Sequence, residues 1–553
     1  MVNTLTHSRC SRKLLLVAIS YAVIPLGFAQ NSFQDATCFP LYREAGAIPG
    51  TGLDCKAAAA DADVGLGNRF CTSSPEIIER YCGTVATRNS CPANVGNPID
   101  ASTGNKHQAE RDYAGTGLFP LHLTRYYNSN GSHASGDSFG PQWTTNFDRR
   151  IVKSDSSMLY VARADGKLFY FKLSGTNWVS VPAGNSDSLV QVKDGNGNTT
   201  GWKYADSSDG SIEDYAADGR LFKITARNGQ SHTLTRSIST TPSTVAPGPG
   251  YLIKVTDTFS RSLQFTWNND GTVATMKDPA GYVYTYTYVG TRLSKVAYPT
   301  VDASIQAKSY LYNEPEHTSG VDDPALLTGI EDENGKRYAT FEYDAAGRAN
   351  LTEHALGADR HTLTYGTNQT TIVDPRGTSR TFSFVRAAGA LRLSAINKPG
   401  GAGCAASANL LTYDANGNLK NYKDFNGMVT TYTYDLARNL ETQRVDAFGT
   451  PQVRTTTTEW HPTFNYPQRI AEPKRITTFT YYPTGNPETK TVRTTSDLTG
   501  AQGLAATQST AFLKSTYTYD PAKQIIDCYG ACHNGATAYD PHIYVQRWQS
   551  CHY

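Results

Sequence analysis

The sequence predicts an all-β protein built from stacked strand-and-turn units, and three observations carry that expectation. Variants of one stretch, Asp424-Phe425-Asn426-Gly427 running through alternating Thr and Tyr to Tyr434-Asp435, recur across the C-terminal half. Along Tyr282-Val283-Tyr284-Thr285-Tyr286-Thr287-Tyr288 the period of two puts every Tyr on one face and Val and Thr on the other. Composition agrees: 34 Tyr, 47 Gly and only 4 Met in 553 residues favour half-buried strands over helices. A single unit of this kind cannot bury its apolar face alone, so the units must stack, and the repeat decides the fold before any one residue does.

Each unit opens on Asp-x-x-Gly, as at Asp278 with Gly281, Asp332 with Gly335, Asp374 with Gly377 and Asp424 with Gly427. Several close on Tyr-Asp, as at Tyr343-Asp344, Tyr413-Asp414 and Tyr434-Asp435. Asp414 and Asp435 lie 21 residues apart, which suits one or two strands with their turns, while successive Asp-x-x-Gly starts drift through 54, 42 and 50 residues. The Asp side chain caps its own turn, and Asp446 is read the same way. Stacked units should form a tyrosine ladder worth ~0.2 to 1 kcal/mol per cross-strand pair. Charge is balanced, 51 basic against 49 acidic side chains, so bulk electrostatics offers nothing to nucleic acid or an anionic membrane.

The N-terminus reads as an address. Arg9, Arg12 and Lys13 precede the apolar run from Leu14, which ends at Gly27-Phe28-Ala29, so a signal peptide over 1–29 should be cut between Ala29 and Gln30, leaving no membrane span. Export makes the remaining cysteines disulfide candidates before metal ligands: Cys38, Cys55, Cys71, Cys82 and Cys91 in a Cys-rich module over 30–95, then Cys404, and Cys528, Cys532 and Cys551 near the end. Connectivity does not follow from spacing.

Residues 96–150 hold Gly96-Asn97-Pro98-Ile99-Asp100, Glu110-Arg111-Asp112-Tyr113, Leu121-His122-Leu123-Thr124-Arg125-Tyr126-Tyr127 and Phe139-Gly140-Pro141-Gln142-Trp143. Leu121, Leu123 and Arg125 alternate with His122, Thr124 and Tyr126, which predicts a strand, and Gly140 with Trp143 suits a turn closed by a large apolar anchor. This stretch resembles the entry segment at the start of the repeat region in bacterial Rhs (rearrangement hotspot) and YD-repeat proteins, and with the Tyr-Asp units the resemblance covers roughly 95 to 520. It implies an extended, curled β-sheet of successive hairpins, which complete family members wrap into a hollow shell around a C-terminal toxin. Few good units are present here, so whether the sheet closes is left open. A β-rich segment without clear repeats fills 151–270, with turns at Asp165-Gly166, Asp218-Gly219, Asn228-Gly229 and Asp270-Gly271 and a loop over 239–250. The repeat region spans 271–520, and an irregular tail 521–553.

Three patterns imitate chemistry. Gly136-Asp137-Ser138-Phe139-Gly140 matches a nucleophile elbow but lacks the strand before and helix after the serine. Asp194-Gly195-Asn196-Gly197-Asn198 opens like a calcium loop but has Thr199 and Ala205 where Gly and Glu are needed. Cys528, Cys532, His533, Cys551 and His552 could hold zinc, although a disulfide is the plainer use. No catalytic residue, cofactor or metal is assigned.

The resemblance thus implies a secreted or envelope-located, non-enzymatic shell or carrier in bacterial competition or surface interaction, with toxin cargo or a cell-surface glycan or protein as partner. An adhesin that binds sugars through exposed tyrosines is the alternative, and toxin activity in the tail a second one.

Overall fold

A computed structural model of the chain describes residues 93–131, 138–154, 156–181, 186–299, 306–388, 390–400 and 405–519, with the backbone of 525–529. From Arg150–Lys153 to Ile525–Tyr529 the strands form one antiparallel sheet in which each pairs with the next along the chain. Two smaller sheets stand apart: Asn94–Val95 with Ile99–Asp100, and the three strands His107–Ala114, His122–Asn128 and Trp143–Thr145. Helix among the described residues amounts to single 3-10 turns such as Pro315–His317.

The wall follows from one turn used repeatedly. At Asp332 the backbone N–H donates to the Lys336 carbonyl (2.8 Å), Gly335 N–H donates back to the Asp332 carbonyl (3.0 Å), and the carboxylate accepts from Asn334 and Lys336 N–H, each at 2.9 Å. The fourth residue must enter the left-handed region, and Gly335 does so at φ 67°. The same bonds recur at Asp278, Asp344, Asp374, Asp414 and Asp424. Gly281 closes the Asp278 turn by donating its N–H to the Asp278 carbonyl (3.0 Å), and Gly377 closes the Asp374 turn in the same way (2.9 Å). Both take positive φ, 95° at Gly281 and 78° at Gly377. The turn also recurs before residue 271, where the sequence shows no clear repeat: Asp257 makes it with Ser260, not Gly, at φ 66°. Ala216 and Ala226 make its backbone bonds with no aspartate at the first position; the cap comes instead from the third residue, Asp218 accepting from Arg220 N–H at 3.1 Å and the Asn228 amide oxygen from Gln230 N–H at 3.0 Å.

Alternation decides what each strand buries. In Val283–Val289, Tyr284 and Tyr286 are buried and Tyr288 half-buried, while Val283 and Val289 face out; Tyr282 sits in the preceding turn, 48% exposed. Among the described strands of the repeat region no tyrosine lies directly opposite another, so the expected tyrosine-on-tyrosine ladder does not form there. Tyr284 lies opposite Met276, Tyr286 opposite Val296 and Tyr310 opposite Ile330, because the inward positions of the neighbouring strands are aliphatic. Rings meet edge to face instead, as Tyr284 and Tyr298 do at 6.1 Å. Fully buried Leu293, Val296 and Phe341 join one core with Leu123, Trp143 and Phe147 of the entry segment, each such side chain stabilising the fold by roughly 1.5–3 kcal/mol.

The wall touches itself over long sequence distances. Its first strand meets the turn after Ile212–Ala216: Arg150 bridges Arg220, and Ile151 N–H donates to the Gly219 carbonyl at 2.9 Å. A Cβ on Gly219 would lie 1.9 Å from the Ile151 carbonyl oxygen, so only glycine fits this seam. Farther on, Ser186 Oγ donates to the Arg438 carbonyl (2.5 Å), and the Arg227 guanidinium lies 3.0 Å from the centre of the Tyr466 ring.

Candidate functional site: an entry segment pinned against the wall

The strand His122–Asn128 buries Leu123, Arg125 and Tyr127 on one face, each at 0% exposure. A cation on that face needs a partner. The ladder to His107–Ala114 is irregular between Arg111 and Tyr113, at Asp112. Arg125 donates Nε to Asp112 Oδ2 at 2.7 Å and Nη2 to Oδ1 at 2.9 Å, a bidentate pair with both side chains fully buried.

The wall completes this pair. Arg125 Nη2 also donates to the Tyr310 hydroxyl (2.8 Å), while Tyr286 and Tyr298 donate theirs to the Asp112 carboxylate at 3.0 and 3.2 Å. The guanidinium carbon lies 4.8 Å from the centre of the Trp143 ring and 5.2 Å from that of Tyr310. Burial opposes the Arg125 charge, but Asp112 and Tyr310 outweigh it and hold the group well above its ordinary range. Burial, then Asp112, pushes the Tyr286 phenol far up, so that hydroxyl stays a donor.

Other bonds fix the same segment. The Tyr127 hydroxyl donates to the Ala325 carbonyl and accepts from Leu327 N–H, both at 2.8 Å, and Trp143 Nε1 donates to the Tyr312 hydroxyl at 2.9 Å. Gly140, at φ 92°, presses on the wall where a Cβ would lie 2.4 Å from the Thr291 carbonyl oxygen. A second buried cluster ties the start of the wall: Arg163 donates to Glu213 (2.6 Å) and Asp206 (2.9 Å), and Arg149 also contacts Glu213. Burial would raise the Glu213 carboxyl, yet Arg163 and Arg149 hold it down to about 2.

The tyrosines singled out in the sequence act on backbone. Tyr343 donates its hydroxyl to the Leu327 carbonyl (2.8 Å), Tyr413 to Leu393 (2.5 Å) and Tyr434 to Leu419 (2.9 Å). Leu327 and Leu419 open their strands; each is paired with the strand before it but lies beyond the last residue paired with the strand after it, so the hydroxyl from that following strand takes over where the pairing stops. Tyr288, Tyr481 and Tyr519 make the same tie, and Trp267 and Trp460 make it through indole N–H.

The turn residues singled out with them stay at the edges of the wall. Gly281, Gly335, Gly377 and Gly427 are exposed and lie away from the Asp112–Arg125 pair, so they shape hairpins and line no site. A Cβ on Gly377 would meet nothing within 4 Å, and one on Gly281 only the Lys277 side chain at 3.8 Å. Glycine is therefore needed at both for its φ, not for room. Asp435 caps a variant turn by accepting from Ala437 N–H at 3.0 Å. Asp446 departs from the expected capping role: its carboxylate accepts from Thr430 Oγ1 at 3.4 Å, and Ala447, not glycine, takes the positive φ directly after it.

The imitations of chemistry resolve into turns where they are described. Ser138 gives its carbonyl to Val273 N–H (2.8 Å) in a turn, and Asp194 caps an exposed hairpin by accepting from Asn196 and Asn198 N–H. Cys528 lies in the strand Ile525–Tyr529, paired with Gln508–Tyr519. The other cysteines, His533, His552, Ala29 and Gln30 lie outside the described residues. Sequence reasoning did not single out the Asp112–Arg125 pair. The available signal was an arginine at an inward position of an otherwise apolar alternation.

A wall of hairpins wound against a buried entry segment defines a β-repeat protein whose Tyr-Asp residues are wall parts. The RHS Repeat family model matches residues 413–451, and the family described as Domain of unknown function (DUF6531) matches residues 96–171. The wall thus carries an RHS repeat at residues 413–451. No curated protein matches it. Among solved structures, a TcdB2-TccC3-Cdc42 crystal structure is 13% identical, covering 78% of this chain and 25% of that one with a TM-score of 0.36. The Photorhabdus luminescens Tc holotoxin pore is 12% identical, covering 79% and 23% with a TM-score of 0.29. The chain thus spans about a quarter of the length of these structures.

Proposed function

We propose that this protein is a non-enzymatic structural shell or carrier, exported through the leader ending at Ala29 and serving a toxin or cell-surface interaction system. One observation carries the reading. The acids and tyrosines that recur along the chain are consumed in turn caps and strand ties, and a fully buried ion pair, Arg125 with Asp112, joins the entry segment to the wall. Such an arrangement holds a wall in shape. The partner is a polypeptide cargo, in keeping with solved structures of TcdB2-TccC3 assemblies among those similar to this chain. The tyrosines offer less to a glycan reading, since Tyr284, Tyr286, Tyr310, Tyr343 and Tyr432 are buried.

Limited proteolysis of the full chain, read by mass spectrometry, tests the proposal. A protected core from about residue 96 to 519, with cuts restricted to loops such as 239–250, supports it. Processive digestion through the wall, or turnover of a substrate by the purified chain, sinks it.

A further inference from the structure

A cavity of about 400 Å³ lies where the entry segment meets the start of the wall, lined by Arg149, Arg150, Arg220 and Arg236 together with Asp148 and Asp270. Two of the arginines are committed, Arg149 to Glu213 and Arg220 to Asp218 at 2.6 Å. Both acids are held in their own turns. Asp148 accepts from Thr145 N–H and Oγ1 (2.8 and 2.9 Å), and Asp270 from Thr272 N–H and Oγ1 (3.0 and 2.7 Å).

The other two arginines are under-used. Arg236 gives Nη1 to the Gly250 carbonyl at 3.2 Å, and its buried Nε has no partner. Arg150 also has a buried, unpartnered Nε. Cations left this way are costly. Arg150 and Arg220 are moreover Cα partners across the antiparallel seam, and like charges directly opposite one another destabilise a sheet. Burial, only partly offset by Asp148 and Asp218, holds the Arg236 guanidinium below its ordinary range, with Arg220 and Arg150 adding to the effect. Tyr251 and Trp267, ring centres 4.9 Å apart, supply an apolar side to the same cavity.

We propose that this cavity binds an oxyanion, a phosphate or carboxylate group, between Arg150 and Arg236, and that the bound group clasps the seam between the first strand and the turn at Arg220. The anion supplies acceptors to the two guanidinium groups and relieves the repulsion between opposed arginines. Because the seam joins residues about 70 positions apart, an anion seated there stabilises the wall as a whole.

The full chain is titrated with inorganic phosphate and, separately, with sodium glucuronate, each against sodium chloride of equal ionic strength, and thermal unfolding is followed. A saturable midpoint rise of about 2–3 °C at a 100-fold excess over the dissociation constant is expected. It should vanish in Arg150→Gln and Arg236→Gln and persist in Arg380→Gln, an exposed site elsewhere on the wall. Response to phosphate alone, to glucuronate alone or to both supports the site and assigns its source. An equal rise with sodium chloride, or an unchanged rise in both cavity variants, overturns it. Should the variants not fold, equilibrium dialysis of the unaltered chain decides: about one phosphate or glucuronate per chain supports the proposal, and absence of saturable binding overturns it.

Discussion

The Tyr343 hydroxyl donates to the Leu327 carbonyl at 2.8 Å, while the N–H of the same leucine donates to Tyr127 of the entry segment. Both backbone groups of one fully buried residue are thus satisfied by tyrosines, one from the wall and one from the segment packed against it. Tyr343→Phe keeps the ring and removes the donor, leaving a buried carbonyl unpaired at a cost of ~1–3 kcal/mol. Tyr338→Phe, on the same strand but 48% exposed, should change stability by less than ~0.5 kcal/mol. Denaturant midpoints of the two variants check this, and equal midpoints refute it.

Breaking the buried ion pair should be worse than deleting it. Arg125→Met strands Asp112 among tyrosines and is expected to lose ~3–5 kcal/mol, whereas the double variant Arg125→Met with Asp112→Leu should recover much of that loss. A double-mutant cycle on unfolding free energy reads the difference. Additive single effects would remove the pair from the account.

Two glycines of positive φ should respond differently to alanine. At Gly335 the added methyl meets nothing within 4 Å, so only backbone strain of ~1 kcal/mol is expected. At Gly140 the methyl would also run into the Thr291 carbonyl, so a much larger loss follows, and near-equal melting temperatures would contradict it. The converse case is Ser260, which holds φ 66° with a side chain; Ser260→Gly should stabilise by roughly 0.5–1 kcal/mol in thermal unfolding.

Mild acid should loosen the entry segment before the wall. Burial lowers His122 and His232 to about 4, and His232 stacks on Phe119, ring centres 4.0 Å apart, while bonding its carbonyl. Groups whose folded value lies below the unfolded one, near 6.5, contribute fully above that value and lose their contribution as pH falls through about 6.5 to 4. Glu213, held down to about 2, loses its contribution later, between about 4.5 and 2, and is worth on the order of 3 kcal/mol. Hydrogen exchange across 113–123 as a function of pH separates the two windows. Protection unchanged down to pH 4 would count against the histidines.

The repeat was legible where its turn wore an aspartate and a glycine, as at Asp332 and Gly335, because the side chain and the φ both leave a mark in sequence. It was illegible at Ala216, Ala226 and Ser260, where the same backbone bonds form without one or other of those residues, so 151–270 read as non-repeating although its hairpins are the same. The role of Tyr343 as a tie to Leu327 was hidden for a different reason: alternation tells which face a ring takes, not which carbonyl its hydroxyl reaches. Likewise Asp112 meets Arg125 only because the ladder slips between Arg111 and Tyr113, and slips of register have no periodic signature. The seam between Arg150 and Arg220 depends on how far the sheet has curled, which is a property of many strands together.

The sequence distance between the entry segment and its partners sets a clock. Arg125 and Tyr310 are 185 residues apart, Tyr127 and Ala325 198. At ~5–20 residues per second, about 10–40 s of synthesis separate them. Hairpins of the wall can close as they emerge, each on its immediate predecessor, but Leu123, Trp143 and Phe147 must wait in water for surfaces that do not yet exist. The hazard in making this protein is therefore front-loaded: aggregation of the nascent chain should depend on the residues translated first, and on whatever shelters them until the middle of the wall arrives.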